Sequence, residues 1–233
     1  MSWIRLRQVA LVAHDLEAVV DELRRVLGLE VAHRDPSVAA FGLVNAVLPL
    51  GSQFVEVVSP TRPGTAGGRR LERLGGDGGY MVIGHTDDHD ALRRRVDDLG
   101  VRVAMEHVDD GGYRILQLHP ADTGGSFLEL DFQPGGEDPD GPWMPAGDRW
   151  QDAVRTDVVS AITGVELRDP DPDGVAARWS AICDVPVVDG AIELDDATIR
   201  FTEGTGGLVA VDCRGSVERA DVIAGVEFRT TPV

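Results

Sequence analysis

Lysine is absent from this chain. All 22 basic residues are arginines, set against 40 aspartates and glutamates for a net charge of −18. An acid excess of that size excludes nucleic acid as a partner, because phosphate backbones need a basic footprint. It favours cationic ligands over polyanions except where a local patch reverses the field. Cysteine is scarce too. Cys183 and Cys213 are too few for a disulfide framework and are not spaced as a metal knuckle, so both are expected as buried thiols. No apolar run approaches the ~18 residues of a membrane span, and no charged-then-apolar signal pattern opens the chain. These absences predict a cytoplasmic protein without a membrane partner. An arginine-only basic set fits a GC-rich bacterial genome rather than a mechanism. What remains, 233 residues with 42% hydrophobic content, is enough to bury a core as one or two compact units.

The chain repeats itself in register. Gln8-Val9-Ala10-Leu11-Val12-Ala13-His14-Asp15 leads into an amphipathic stretch ending at Gly28, and Met81-Val82-Ile83-Gly84-His85-Thr86-Asp87-Asp88 leads into another ending at Gly100. Phe54-Val55-Glu56-Val57 then answers Phe127-Leu128-Glu129-Leu130. The same interval, 73 residues, separates Asp15 from Asp88 and Glu56 from Glu129. Two copies of a strand–helix–strands unit, each ending in a glutamate within an apolar strand, predict a paired site between them.

The first unit spans residues 4–60. Asp15 caps a helix whose apolar residues Leu16, Val19, Val20, Leu23, Val26 and Leu27 follow helical spacing, and Gly28 stops it. Strands are expected at Glu30–His33, Ala39–Val44 and Gln53–Val58. A glycine-rich connector with a short helix near Arg69–Leu74 leads to the second unit, residues 80–133. Residues 134–152, rich in Pro, Gly and Asp, read as an exposed linker. Residues 153–233 read as an eroded third copy, with Phe201-Thr202-Glu203 repeating the strand ending, and a partial fourth copy without a helix. Trp143, Trp150 and Trp179 are expected to pack this segment onto the paired units.

A tandem βαβββ unit with a carboxylate near the end of its last strand resembles the vicinal oxygen chelate superfamily. That group includes glyoxalase I, ring-cleaving dioxygenases, bleomycin-binding proteins and methylmalonyl-CoA epimerases. Ser59-Pro60, Leu71-Glu72-Arg73 and above all Leu118-His119-Pro120-Ala121-Asp122-Thr123-Gly124-Gly125 through Leu128-Glu129-Leu130 are similar to the epimerase branch, over residues 4–133. The resemblance implies an α+β fold in which paired curved mixed sheets form a cleft. It also implies a divalent metal (Zn, Co, Ni, Mn or Mg) held by one side chain from the first and one from the last strand of each unit. By position those ligands fall on Gln8, Glu56, Met81 and Glu129. Gln8 offers a neutral oxygen, but Met81 offers only a thioether, which suits soft Cu(I). A metal set of Gln8, Glu56 and Glu129 is therefore expected to bind weakly or not at all. The implied epimerase base falls near Asp35, whose alternative reading is a turn residue ahead of proline.

A carboxylate buried without a partner costs several kcal/mol. Glu56 and Glu129 thus call for a metal, an arginine or a proton, and they are the candidate catalytic residues. Arg69 and Arg73, with His119 from the hairpin, are the candidate substrate-binding residues, because the arginine fork suits carboxylate or phosphate. His14 and His85 end the first strands and read as surface caps or as flanks of the cleft mouth. Two functions follow. One is an isomerase or lyase acting through an enolate-type intermediate; the other is a metal-free protein that sequesters a small organic molecule, as bleomycin-binding proteins do. Pairing within one chain and pairing across a homodimer both remain open.

Overall fold

The computed structural model describes residues 2–124 and 126–232, so Gly125 of the hairpin motif and Val233 lie outside the described residues. The first half contains β1 (Ile4–Val12), α1 (Leu16–Leu27), β2 (Leu43–Leu50), β3 (Gln53–Pro60), α2 (Ala66–Leu74), β4 (Gly78–Thr86), α3 (His89–Asp98), β5 (Val103–Val108), β6 (Arg114–Leu118) and β7 (Phe127–Asp131). The repeated aspartates are helix caps. Asp15 accepts from the backbone N–H of Ala18 at 3.1 Å and Asp88 from that of Ala91 at 3.0 Å, each satisfying a donor that the first turn leaves open.

These strands form one seven-stranded mixed sheet in the order β2-β3-β1-β4-β7-β6-β5. β1 and β4 run antiparallel at its centre, and each pairs in parallel with the last strand of its own unit. Ala10 therefore lies opposite Glu56, and Ile83 opposite Glu129. A register shift between Leu6 and Gln8 marks a bulge in β1.

The first unit departs from expectation after α1. The strand expected at Glu30–His33 reduces to a single bridge between His33 and Val47. Much of the one expected at Ala39–Val44 is a 3-10 turn, Pro36–Phe41, and the strand begins at Leu43. The cause is local: Asp35 accepts from Ser37 N–H at 2.8 Å, Pro36 presets φ, and Gly42 ends the turn at φ 70°.

The second half contains β8 (Val159–Asp169), α4 (Pro172–Cys183), β9 (Val187–Val188), β10 (Ala191–Glu193), β11 (Thr198–Glu203), β12 (Gly207–Gly215), β13 (Arg219–Ile223) and β14 (Val226–Pro232). The third copy keeps the whole strand–helix–strands order with shortened strands, and the fourth has three strands and no helix. They form a second seven-stranded sheet, β13-β14-β12-β8-β11-β10-β9. One continuous core takes in α1, α3, α4 and apolar residues from both sheets.

The segment expected as an exposed linker is not exposed at its aromatic positions. Trp143 and Trp150 are each 1% exposed and pack, with Phe54, Tyr113 and Met81, on the side of the first sheet away from that core. Turn-rich composition describes its backbone, which forms two short 3-10 turns, Met144–Ala146 and Trp150–Ala153. The two indoles decide where it lies. Trp179 packs on Phe201 within the third copy, and its indole N–H donates to the Thr123 carbonyl of the second unit at 2.8 Å, so it too ties the later segment to the paired units.

Candidate functional site

Past the bulge, strand alternation puts Ala10 and Val12 of β1 on the cleft face, joined by Phe54 and Val58 of β3 and by Met81 and Ile83 of β4. Gln8, Glu56 and Glu129 share that face, and the charges of the two glutamates influence one another. The repeat thus brings both to a common cleft.

Each glutamate is met by amides. Glu56 accepts from Asn45 Nδ2 at 2.7 Å and from Gln8 Nε2 at 3.0 Å. Burial pushes its carboxyl up to about 7, the amide donors oppose that rise, and the charge of Glu129 adds to it. Glu129 accepts from Gln117 Nε2 at 2.8 Å, with Asp131 two residues on along the same face of β7. Asp131 in turn accepts from the Tyr113 hydroxyl. Burial drives Glu129 and Asp131 upward together. Among the described residues no arginine pairs with Glu56 or Glu129, so protons and amides answer the buried charge.

This arrangement does not fit a divalent metal. Trp143 Nε1–H donates to Gln8 Oε1 at 2.9 Å, and an indole N–H can only donate. One lone pair of the Gln8 oxygen is therefore engaged, and its NH2 is aimed at Glu56. Met81 turns its sulfur toward Gln117 Nε2 at 3.9 Å. Where a metal needs converging lone pairs, the oxygens of Glu56 and Glu129 face the N–H groups of Gln8, Asn45 and Gln117. No group of three His, Cys, Asp or Glu side chains able to hold a metal occurs among the described residues.

The candidate substrate residues surround a cavity of about 530 Å³. α2 starts at Thr65, which accepts from Gly68 N–H at 2.9 Å, and it carries Arg69, Arg70 and Arg73. Arg70 is buried and donates to the carbonyls of Gly79 (3.0 Å) and Gly206 (2.7 Å). Burial, and then the neighbouring Arg73, lowers its pKa to about 10. Arg69 and Arg73 are exposed, and neither has a carboxylate within ion-pair distance among the described residues. Both line the cavity with His119, Gln117 and the apolar Phe41, Met105 and Phe127. Arg69, Arg73 and His119 are thus brought together. Neither glutamate lines the cavity; Glu129 lies one hydrogen bond behind Gln117.

Asp35 caps the 3-10 turn, as its turn reading expects. His85, read as a cap or cleft flank, is fully buried between Trp3 and Trp143, and its Nε2 accepts from Gln133 N–H at 3.3 Å. Burial, with Arg5 and Arg7, pushes its pKa down to about 3, so it stays neutral. Arg7 is 1% exposed and sits over Phe54, Trp143 and Trp150, donating to the Pro139 carbonyl at 2.7 Å. Sequence reasoning missed Asn45, Tyr113, Gln117 and Asp131. Two of these carried a signal: Asp131 shares the face of Glu129 by the period of two, and Asn45 interrupts an apolar strand.

Comparison with known proteins identifies the family and the fold. The family described as Glyoxalase-like domain matches residues 9–183. A Streptomyces coelicolor methylmalonyl-CoA epimerase variant, solved with 2-nitronate-propionyl-CoA, is 30% identical, with a TM-score of 0.50 over 55% of this chain and 96% of its own. A methylmalonyl-CoA epimerase in complex with methylmalonyl-CoA and NH4+ is 28% identical, with a TM-score of 0.51 over 60% of this chain and 99% of its own. A hypothetical protein from Staphylococcus aureus shares the fold of the whole chain, with 15% identity and a TM-score of 0.67 over 99% of this chain and 100% of its own. No curated protein matches the chain.

Proposed function

The chain belongs to the glyoxalase-like domain family, and from that premise we propose that it binds a small organic anion in the cavity beneath α2, without a divalent metal. The observation that carries this reading is the pair Arg69 and Arg73: two cations without carboxylate partners, facing one concave space in a protein of net charge −18. Concave sites with an apolar lining and a few convergent polar groups are where small ligands bind. The anionic head meets Arg69, Arg73 and His119, while the apolar body meets Phe41, Met105 and Phe127. Calorimetry with short-chain carboxylates tests this. In the R69A/R73A double variant, each lost charge-assisted hydrogen bond costs about 1.5–3 kcal/mol, so binding weakens at least tenfold. Unchanged affinity returns the arginines to a solvated surface role.

A second reading, an isomerase or lyase, is favoured by Glu129. Its buried carboxyl is shifted toward neutrality, where a general base works best, and only Gln117 separates it from the cavity. Deuterium exchange at the acidic carbon of a bound carboxylic acid, lost in E129Q, supports an enolate-forming enzyme. Binding without exchange leaves the sequestering role.

A further inference from the structure

Arg73 lines a second cavity as well, of about 710 Å³, bounded by α2, the start of β4 and the β11–β12 turn of the second half. Its wall is built from glycine. A Cβ at Gly79 would collide with the Leu208 carbonyl, so close approach of the two halves depends on that bare backbone. The charges lining the cavity are unevenly engaged. Asp77 is held by His14, whose Nδ1 lies at 2.8 Å and whose backbone N–H lies at 2.9 Å. Asp169 accepts from Asp171 N–H at 2.9 Å. Arg168 uses only its Nε, on Glu166 at 3.0 Å, and Arg73 makes no hydrogen bond or ion pair among the described residues. The lining carries three arginines, Arg70, Arg73 and Arg168, against two aspartates, Asp77 and Asp169, so its net charge is positive.

We propose that this cavity is a second anion subsite, and that the ligand is an elongated molecule with an anionic group at each end, one per cavity, passing Arg73. This rests on the reading of the first cavity as an anion site and extends it. Each cavity falls in the size range that accommodates a drug-sized ligand, so together they exceed what one short acid fills. The second half of the chain thereby becomes part of the binding site, through Arg168 and the turn at Gly206 and Gly207.

The test is amide chemical-shift mapping on the whole protein with three probes: hexanoate, adipate and inorganic phosphate. Hexanoate should move the amides of Ala104 and Gln117 alone. Adipate should move these and also Gly206 and Gly207, binding about tenfold tighter for the added charge-assisted contact. Phosphate should move Gly206 and Gly207. R168Q should erase the adipate advantage and the phosphate shifts while leaving hexanoate affinity unchanged. Its fold should survive, because Glu166 keeps Arg229 at 2.7 Å and Thr202 at 3.0 Å. D169N should strengthen adipate by removing a like charge. The proposal is overturned if neither adipate nor phosphate moves Gly206 and Gly207, or if those shifts persist in R168Q. Phosphate shifts that depend on Arg168, with no hexanoate response at Ala104 or Gln117, would sink the first-cavity reading and leave the second subsite standing.

Discussion

Replacing Glu56 with glutamine keeps the size of the side chain and removes its titration. In the folded protein burial raises this carboxyl from 4.5 to about 7. Below the lower value it is protonated in both the folded and unfolded states and contributes no slope. Between the two values the folded state keeps a proton that the unfolded chain releases, so stability falls as pH rises and levels off above about 7. At about 1.4 kcal/mol per pKa unit the full loss is ~3 kcal/mol, of which ~2 kcal/mol falls between about pH 5.5 and about pH 8. E56Q lacks this loss. It carries a cost that does not vary with pH, because its own NH2 must face a donor from Asn45 or Gln8; one spoiled buried hydrogen bond is worth about 1–3 kcal/mol. Urea unfolding at a series of pH values should therefore show E56Q less stable than wild type at the acid end, with the gap narrowing or reversing toward alkaline pH. Parallel stability curves over that window would refute the claim that burial raises the Glu56 carboxyl.

Two further predictions follow from the cleft floor. W143F keeps the aromatic packing but strands the Gln8 amide oxygen, and should cost about 1 kcal/mol in urea unfolding; no loss would mean the Gln8 amide is not held by the indole. The wild type should take up Zn²⁺, Co²⁺ or Ni²⁺ weakly in calorimetry, and Q8H/M81H should bind them more tightly because imidazole supplies the missing lone pairs. That gain should vanish when Glu56 and Glu129 are also changed to alanine, whereas tight stoichiometric metal in the wild type, lost on mutating either glutamate, would overturn the poor fit described above.

The paired units were legible because their signals are local and duplicated. Asp15 and Asp88 cap helices whatever surrounds them, and strand period alone sends Glu56 and Glu129 to the same face. Arg69, Arg73 and His119 were legible by charge and by the hairpin motif, although their meeting at one cavity depends on the docking of α2. What escaped reading was long-range. Nothing near Gln8 in the chain announces that an indole 135 residues away takes its oxygen. Within 134–152, Pro, Gly and Asp report turn formation and suggest exposure, whereas Trp143 and Trp150, expected to pack onto the paired units, are buried there. His85 was misplaced because β4 is buried along its whole length, with Trp3 and Trp143 packed on the ring.

Trp143 reaches the cleft on the same chain that builds it, so it competes there as a tethered occupant. A free molecule that reached the floor around Gln8 would have to displace the indole's hydrogen bond and its packing on Phe54 and Tyr113. The chain itself thus fills the centre of the cleft between the glutamates, and the open space lies under α2.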